Sequence, residues 1–504
     1  MLVRPGPSGP FQRLSRGRSM PTFVSDLAPR PLWKHFDEIL RIPRPSGQEE
    51  AARRYVLGLA ERKGLAVRRD AYGNFVVAKP ASPGREGAPA VVLQAHLDMV
   101  GEKNSDVQHD FTRDPIVPRR DGEWLMATGT TLGADNGIGA AAMLAVLEAD
   151  DLVHGPIEFL FTVEEETGLI GAGELDGSIV HGRLLLNLDT EEEGEVTIGC
   201  AGAGNTTLTL PQESAAAPAG RTALEVAVTG LKGGHSGTEI HLPRGNAIKL
   251  LARALYAVDQ GTPLHVASWT GGGKHNAIAR EAVAVVLVRP EEVGAVRAAL
   301  EKEGATIHTE LQPGEPGFRL EVRAAAVPDA AWTEAAGRRA VALVHTLPHG
   351  VLTMSQDIAG LVETSTNLAA VSAQNGSLKI LLSSRSMVDS ALCATRQRIR
   401  ATAGLVGATV EENKGYPGWK PDPQAALLAT FRRLHHAITG TEPELRAVHA
   451  GLECGVIGEK CPGMQMISFG PLIQGPHSPD ERVHVESVGR FWKLLVALLE
   501  ELAR

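Results

Sequence analysis

Apolar and polar positions divide the chain into two textures. In its first two hundred residues, unbroken apolar runs (VVLQA at 91–95, IEFLFTV at 157–163, RLLLNL at 183–188) alternate with segments of helical period. Strands buried on both faces read as continuous apolar runs, so this alternation predicts an α/β fold with a mostly parallel sheet covered by helices. The predicted helices span 31–40, with Leu32, Phe36, Ile39 and Leu40 on one face, then 49–63, closed by Gly64, and an alanine-rich stretch at 135–150. LAVRRD and NFVVAK add two short strands ahead of the first apolar run. Near residue 200 the texture changes. ALEVAVTG, AVAVVLV (282–288), FRLEVRAA and SLKILLSSRS alternate more, between Gly/Pro turns and helices such as NAIKLLARALYAV. They predict a second, α+β domain. YPGWKPDP (416–423) reads as a return linker, after which AALLATFRRLHHAI, MQMISFG and SVGRFWKLLVALLEELA resume the first texture. The expected organisation is therefore a discontinuous first domain, 31–201 and 419–504, interrupted by an inserted domain at 202–418.

A chain of 504 residues is long enough to require at least two cores. Its first thirty residues stand apart: Arg4, Arg13, Arg16 and Arg18 lie among Pro, Gly and Ser, with no acid before Asp26. They lack the apolar centre of a signal peptide, and their prolines and glycines oppose the amphipathic helix of a transit peptide. A disordered extension is expected there, with Met20 as an alternative start. The net charge of −9 speaks against nucleic acid or an anionic membrane as partner, and no run of 18 apolar residues offers a membrane span. Cys200, Cys393, Cys454 and Cys461 show no C-x-x-C spacing. Such usage suits a reducing, cytoplasmic compartment and opposes a disulfide framework or a thiolate zinc site.

Chemistry enters where the apolar runs end. VVLQA leads to His96, IEFLFTV to Glu164, Glu165 and Glu166, RLLLNL to Asp189, and MQMISFG, through PLIQGP, to His477. In open α/β sheets, ligands bind at the carboxyl ends of strands. Asp135, in GADNG, opens the alanine-rich helix. Singly, each residue has a plainer role: His96 as a hydrogen-bonded core histidine, Asp135 as a helix cap, the glutamates, Asp189 and His477 as solvated loops. Jointly they point to a metal centre. Two histidines and three carboxylates can hold two divalent ions if one carboxylate bridges, and zinc, manganese and cobalt all accept such donors. Two ions about 3.5–4 Å apart can activate a water between them. In the glutamate run, one residue can bind metal while its neighbour serves as base. Asp98, two residues after His96, can accept the other ring N–H and fix the tautomer.

HLDMV, LGADNG, VEEETGLIGA, LLNLD, KGGHSG, HAGLECG and GPHSPDERV together resemble the dizinc peptidase family that holds carboxypeptidase G2-like enzymes, aminoacylases and carnosinases. The similarity runs from about Pro31 to the C-terminus. It implies two Zn2+ per chain, with Mn2+ or Co2+ as substitutes: one held by His96, Asp135 and Asp189, the other by Asp135, Glu166 and His477. It makes Glu165 the general base, Asp98 the clamp on His96, Glu164 a bystander to the metals, and the Asp135-Asn136 peptide cis. The inserted domain becomes a lid and dimerisation domain. From it His235 reaches the partner copy's site to steady the carbonyl oxygen, and Arg385 grips the substrate's terminal carboxylate. Asn276, Gly451 and Glu453 are expected to line the pocket. The implied activity is hydrolysis of unblocked dipeptides, Xaa-His among them with broad specificity, by a cytoplasmic homodimer. An N-acyl-amino-acid amidohydrolase or tripeptidase would share the metal site. A catalytically silent metal-binding scaffold is opposed by the retention of Glu165 and every ligand.

Overall fold

The computed structural model describes residues 23–504. Most of the expected N-terminal extension lies outside the described residues. Its last part is not loose: Val24, in the 3-10 turn Val24–Asp26, is fully buried, and Leu27 joins it in the main core.

The first texture folds into an eight-stranded sheet in the order Ala66–Arg69, Phe75–Lys79, Ile157–Thr162, Val91–His96, Leu184–Asn187, Gln465–Ser468, Glu195–Cys200, Glu444–Val448. Its middle four strands, Ile157–Thr162 through Gln465–Ser468, are mutually parallel. Both Val91–His96 and Ile157–Thr162 are buried at every position, as their apolar runs require. Register brings the strand ends level: His96 pairs with Thr162, and Asn187 with both Gln94 and Ser468. Helices Arg30–Leu40, Glu50–Arg62, Ala134–Glu148, Ala426–Thr439 and Val485–Leu502 match the predicted segments within a few residues. Ala134–Glu148 packs against both Arg30–Leu40 and the Val91–His96 strand. Its Ala and Gly side chains are small enough to be buried nearly all round.

A small antiparallel sheet was not foreseen from the sequence. Pro118–Asp121, Trp124–Ala127, Arg482–His484 and Ile473–Gln474 pair in that spatial order. The hairpin between its last two strands carries His477.

Every strand between 202 and 412 pairs outside the first sheet. Eight run consecutively, Arg319–Ala325, Thr222–Thr229, Ala282–Val288, His265–Gly272, Val362–Gln374, Ser377–Ser386, Gly202–Pro211 and Thr409–Glu412, with Gly350–Met354 beside Val362–Gln374. All these pairings are antiparallel. Helices Ala247–Asp259, Val293–Leu311 and Glu334–Thr346 share this sheet's separate core. The chain leaves the first sheet after Cys200 and returns through 416–419. Cys200 and Trp419 exchange backbone hydrogen bonds of 2.9 Å in both directions, and Ala203 and Tyr416 do the same at 3.0 and 2.9 Å. The outgoing and returning segments thus form one paired neck. Among the described residues, no helix is long and apolar enough to cross a membrane.

Candidate metal centre

His96 ends its strand with a fully buried ring facing three acids. Nδ1 lies 3.3 Å from Asp98 Oδ1, while Nε2 lies 3.1 Å from Asp135 Oδ1 and 3.5 Å from Asp189 Oδ1. The other oxygen of Asp135 is 3.2 Å from His477 Nε2, which also meets Glu166 Oε2 at 2.9 Å. Asp135 therefore spans the two histidines. Ligand atoms of His96, Asp135 and Asp189, of Asp135, Glu166 and His477, and of His96, Glu165 and Glu166 each fall within 4.8 Å of one another. The structure brings together all five residues expected to bind metal, and the expected base beside them. The Asp135-Asn136 peptide is cis.

Asp98 does more than face His96. Its Oδ1 accepts the Glu165 N–H and its Oδ2 the Glu166 N–H, both at 3.1 Å, and Ser46 Oγ donates to Oδ2 at 2.8 Å. One carboxylate thus faces the imidazole and holds the glutamate loop by two backbone hydrogen bonds. Glu49 Oε1 accepts the Glu164 N–H (3.1 Å), pinning the start of that loop where Glu164 adopts a φ of 50°.

Two further supporting residues escaped the sequence analysis. Arg44, in the turn after the first helix, donates to Leu97 O (3.0 Å), Asp98 O (2.6 Å) and Gly133 O (2.5 Å), tying the histidine segment to the Asp135 loop. Glu481 accepts four backbone N–H groups, from Leu132, Gly133, Ala134 and Asp135, at 2.6 to 3.2 Å. The plainer role weighed for Asp135, that of a helix cap, is not the one it takes: no side chain caps this helix at its N-cap residue, Gly133. Glu481 supplies the anion at this helix N-terminus, leaving the Asp135 carboxylate free to face the histidines. Glu481 lies in the quoted GPHSPDERV, but nothing in an isolated loop acid announces four backbone partners.

The electrostatics fit cations. Burial alone would lower the His96 pKa, yet Asp189, Asp135 and Asp98 hold it well above the usual value. Hydrogen bonds to Asp135 and Glu166 push His477 up to about 11. Burial raises Asp189 to about 6 and drives Glu165 well up, whereas the histidine contacts outweigh burial at Asp135 and hold it low. Lone pairs facing one another in a buried cluster call for positive charge between them. Glu166 Oε1 is buried and has no hydrogen-bond partner among the described residues. Imidazole nitrogen and carboxylate oxygen are the donors that zinc, manganese and cobalt share.

The expected substrate residues gather at a second place. A Cβ on Gly237 would sit 2.3 Å from His449 O, 3.1 Å from His235 Cε1 and 3.2 Å from Arg385 Cζ, so these three groups converge on a glycine. Arg385 is buried and its Nε has no hydrogen-bond partner among the described residues, while Nη1 reaches Tyr416 OH at 3.5 Å. Tyr416 packs over Gly451, where a Cβ would lie 2.7 Å from its ring. His235 Nδ1 faces the backbone N–H groups of Gly237 (3.3 Å) and Thr238 (3.1 Å) as their acceptor, which assigns its proton to Nε2. Burial lowers its pKa, and the Arg385 guanidinium lowers it further. Asn276 holds Ser236 through its backbone carbonyl, and its residue is exposed. Glu453 departs from its expected place on the pocket wall. It is sealed beneath the sheet end with 1 % exposure, bonded to Gln94 and Thr162, and burial pushes its carboxyl up to about 7.

Fold and donor set together define the class: the chain belongs to peptidase family M20/M25/M40, a family of metallopeptidases, whose pattern it matches over residues 92–501. It is 42% identical over 479 residues to the cytosol non-specific dipeptidase of Escherichia coli (strain K12), a match covering 95% of this chain and 99% of that one. Among solved structures, the aminoacylhistidine dipeptidase from Vibrio alginolyticus superposes with a TM-score of 0.91 at 43% identity, covering 95% of this chain and 98% of the other. Aminopeptidase PepT from Bacillus cereus ATCC 10987 shares the fold alone, with a TM-score of 0.57 at 18% identity over 95% of this chain and all of its own. The resemblance drawn from the motifs, and the fold it implied, are borne out.

Proposed function

We propose that this chain hydrolyses short unblocked dipeptides, Xaa-His among them, at a pair of divalent cations, zinc in the first instance with manganese or cobalt as substitutes. The observation that carries the reading is the span of Asp135, 3.1 Å from one histidine and 3.2 Å from the other. In this reading His96, Asp135 and Asp189 hold one cation, and Asp135, Glu166 and His477 the other. Bound there, the cations polarise the scissile carbonyl and lower the pKa of the attacking water. Glu165 takes the proton of that water and delivers it to the leaving amine. Asp98 keeps the His96 lone pair turned toward the metal and the glutamate loop in place. Arg385 binds the substrate's terminal carboxylate with its planar fork. His235, with its proton on Nε2, donates to the carbonyl oxygen as negative charge develops there.

A homodimer formed through the second sheet belongs to the same reading, with His235 of each copy serving the other's site. A cytosolic setting is proposed from the name of the Escherichia coli relative and from four cysteines without a disulfide. The test is a panel of Xaa-His and other dipeptides, tripeptides and N-acyl amino acids, assayed with and without chelator. Chelator-sensitive cleavage confined to dipeptides is expected. Preferential turnover of tripeptides or N-acyl amino acids would overturn the substrate assignment.

A further inference from the structure

Beneath the metal cluster runs a row of buried polar side chains that the proposed mechanism leaves unused. Thr190 Oγ1 lies 2.8 Å from Ser468 Oγ, which donates to Asn187 Oδ1. Asn187 Nδ2 donates to Gln94 Oε1 (2.5 Å), and Gln94 Nε2 donates to Glu453 Oε2 (2.6 Å). Thr162 Oγ1 donates to that same oxygen at 2.9 Å. Thr162, Gln94, Asn187 and Ser468 stand on the four parallel strands, one on each, and each is at most 1 % exposed.

The row has a direction. An amide or hydroxyl can donate and accept, so a row of them can run either way; a group that only accepts fixes the sense of the whole. Ser468, Asn187, Gln94 and Thr162 all donate toward Glu453. That is the order a carboxylate at the end imposes. Its second oxygen, Oε1, is buried without a hydrogen-bond partner among the described residues. Burial pushes this carboxyl up to about 7, so it takes a proton unless positive charge close by keeps it ionised. Gln94, which donates to Glu453, stands two residues before His96 on the same strand and so on the same face, which places the carboxylate one side chain behind the His96 end of the cluster.

We infer that Glu453 is a positioning residue for the metal pair: it orients the one-way row that locks four strand ends together, and sets a negative charge beneath the cation held by His96, Asp135 and Asp189. This rests on the dinuclear reading above. A core polar network without such a role would affect stability and leave metal affinity alone.

The test is Glu453→Gln in the full-length chain, read by zinc affinity in competition with a chelating dye and by the visible spectrum of the cobalt-loaded protein. Thermal unfolding checks the fold. Zinc is expected to bind roughly 10–100-fold more weakly, with an altered cobalt spectrum. In the double variant Glu453→Gln with Gln94→Glu, the carboxylate moves one step along the row. Asn187 Nδ2 and the new amide at position 453 can both donate to it, so zinc affinity is expected to return toward that of the unchanged chain. Undiminished zinc affinity in the single variant overturns the inference, as does a double variant that folds without recovering it. A double variant that does not fold also overturns it, because Asn187 Nδ2, the amide at position 453 and Thr162 Oγ1, which would turn to the side chain at position 94 3.1 Å away, can all donate to the moved carboxylate. An unchanged chain that binds no zinc would defeat the dinuclear reading itself.

Discussion

Replacing Glu481 by Gln probes the support of the bridging ligand. The Glu481 side chain is 2 % exposed; Oε2 accepts from Leu132 (2.6 Å) and Gly133 (2.8 Å), Oε1 from Ala134 (2.7 Å) and Asp135 (3.2 Å). In the variant, one oxygen becomes an NH2 group, so two backbone donors face a donor in a dry interior. Each buried N–H left unsatisfied costs about 1–3 kcal/mol, which places the loss at about 2–6 kcal/mol. Against a typical stability of about 5–15 kcal/mol, that is a large share. Because the loosened turn carries Asp135, metal affinity falls with it. The assay is urea unfolding of the metal-free chain, followed at the transition that involves the first sheet, beside chelator competition on the loaded chain. A variant within about 0.5 kcal/mol of the unchanged chain, with unaltered metal affinity, would refute the reasoning.

Glu165→Gln should retain both cations and lose roughly 10²–10⁴ in kcat; loss of a cation along with the activity would reassign Glu165 as a ligand. Arg385→Lys gives up the fork for a point charge and should raise KM for dipeptides roughly 10–100-fold, equivalent to about 1.4–2.7 kcal/mol, with metal content unchanged; an unaltered KM removes Arg385 from substrate binding. His35, 1 % exposed between Tyr55 OH (2.8 Å) and Glu148, is lowered to about 4 by burial, which outweighs the opposing pull of Glu148. The unfolded imidazole gains its proton near pH 6.5, so its contribution is complete above that pH and is lost as pH falls toward 4, at about 1.4 kcal/mol per pH unit and roughly 3 kcal/mol in all. His35→Gln should flatten the acid side of the stability profile by that amount, and an identical slope in the two proteins would contradict the assignment.

What could be read from the sequence was whatever interrupts a pattern. His96, the glutamates 164–166 and Asp189 stand out because each breaks an apolar run at a place where a buried strand ends. His477 is carried by Ile473–Gln474 and Arg482–His484, strands too short to leave a period, and only the motif around it drew notice. Arg44 and Glu481 act on backbone groups, which any side chain sequence surrounds equally, so nothing distinguishes them from surface charges. Glu453 shares a motif with Gly451, but it opens the helix Glu453–Lys460 and turns into the core, while Gly451 lies under Tyr416. The long strand Val362–Gln374 was missed because Thr364, Ser365, Thr366 and Asn367 are polar. All four are buried, and their side chains find partners in Ser386, His449, Ser384 and the backbone carbonyls of His275 and Ala277.

The central claim is that one carboxylate joins two cation sites. Its most direct test is zinc stoichiometry at saturation for the unchanged chain and for Asp135→Ala. Two zinc ions per chain are expected, with both sites weakened together in the variant. A plateau at one ion, or a variant that keeps either ion at full affinity, would contradict the account.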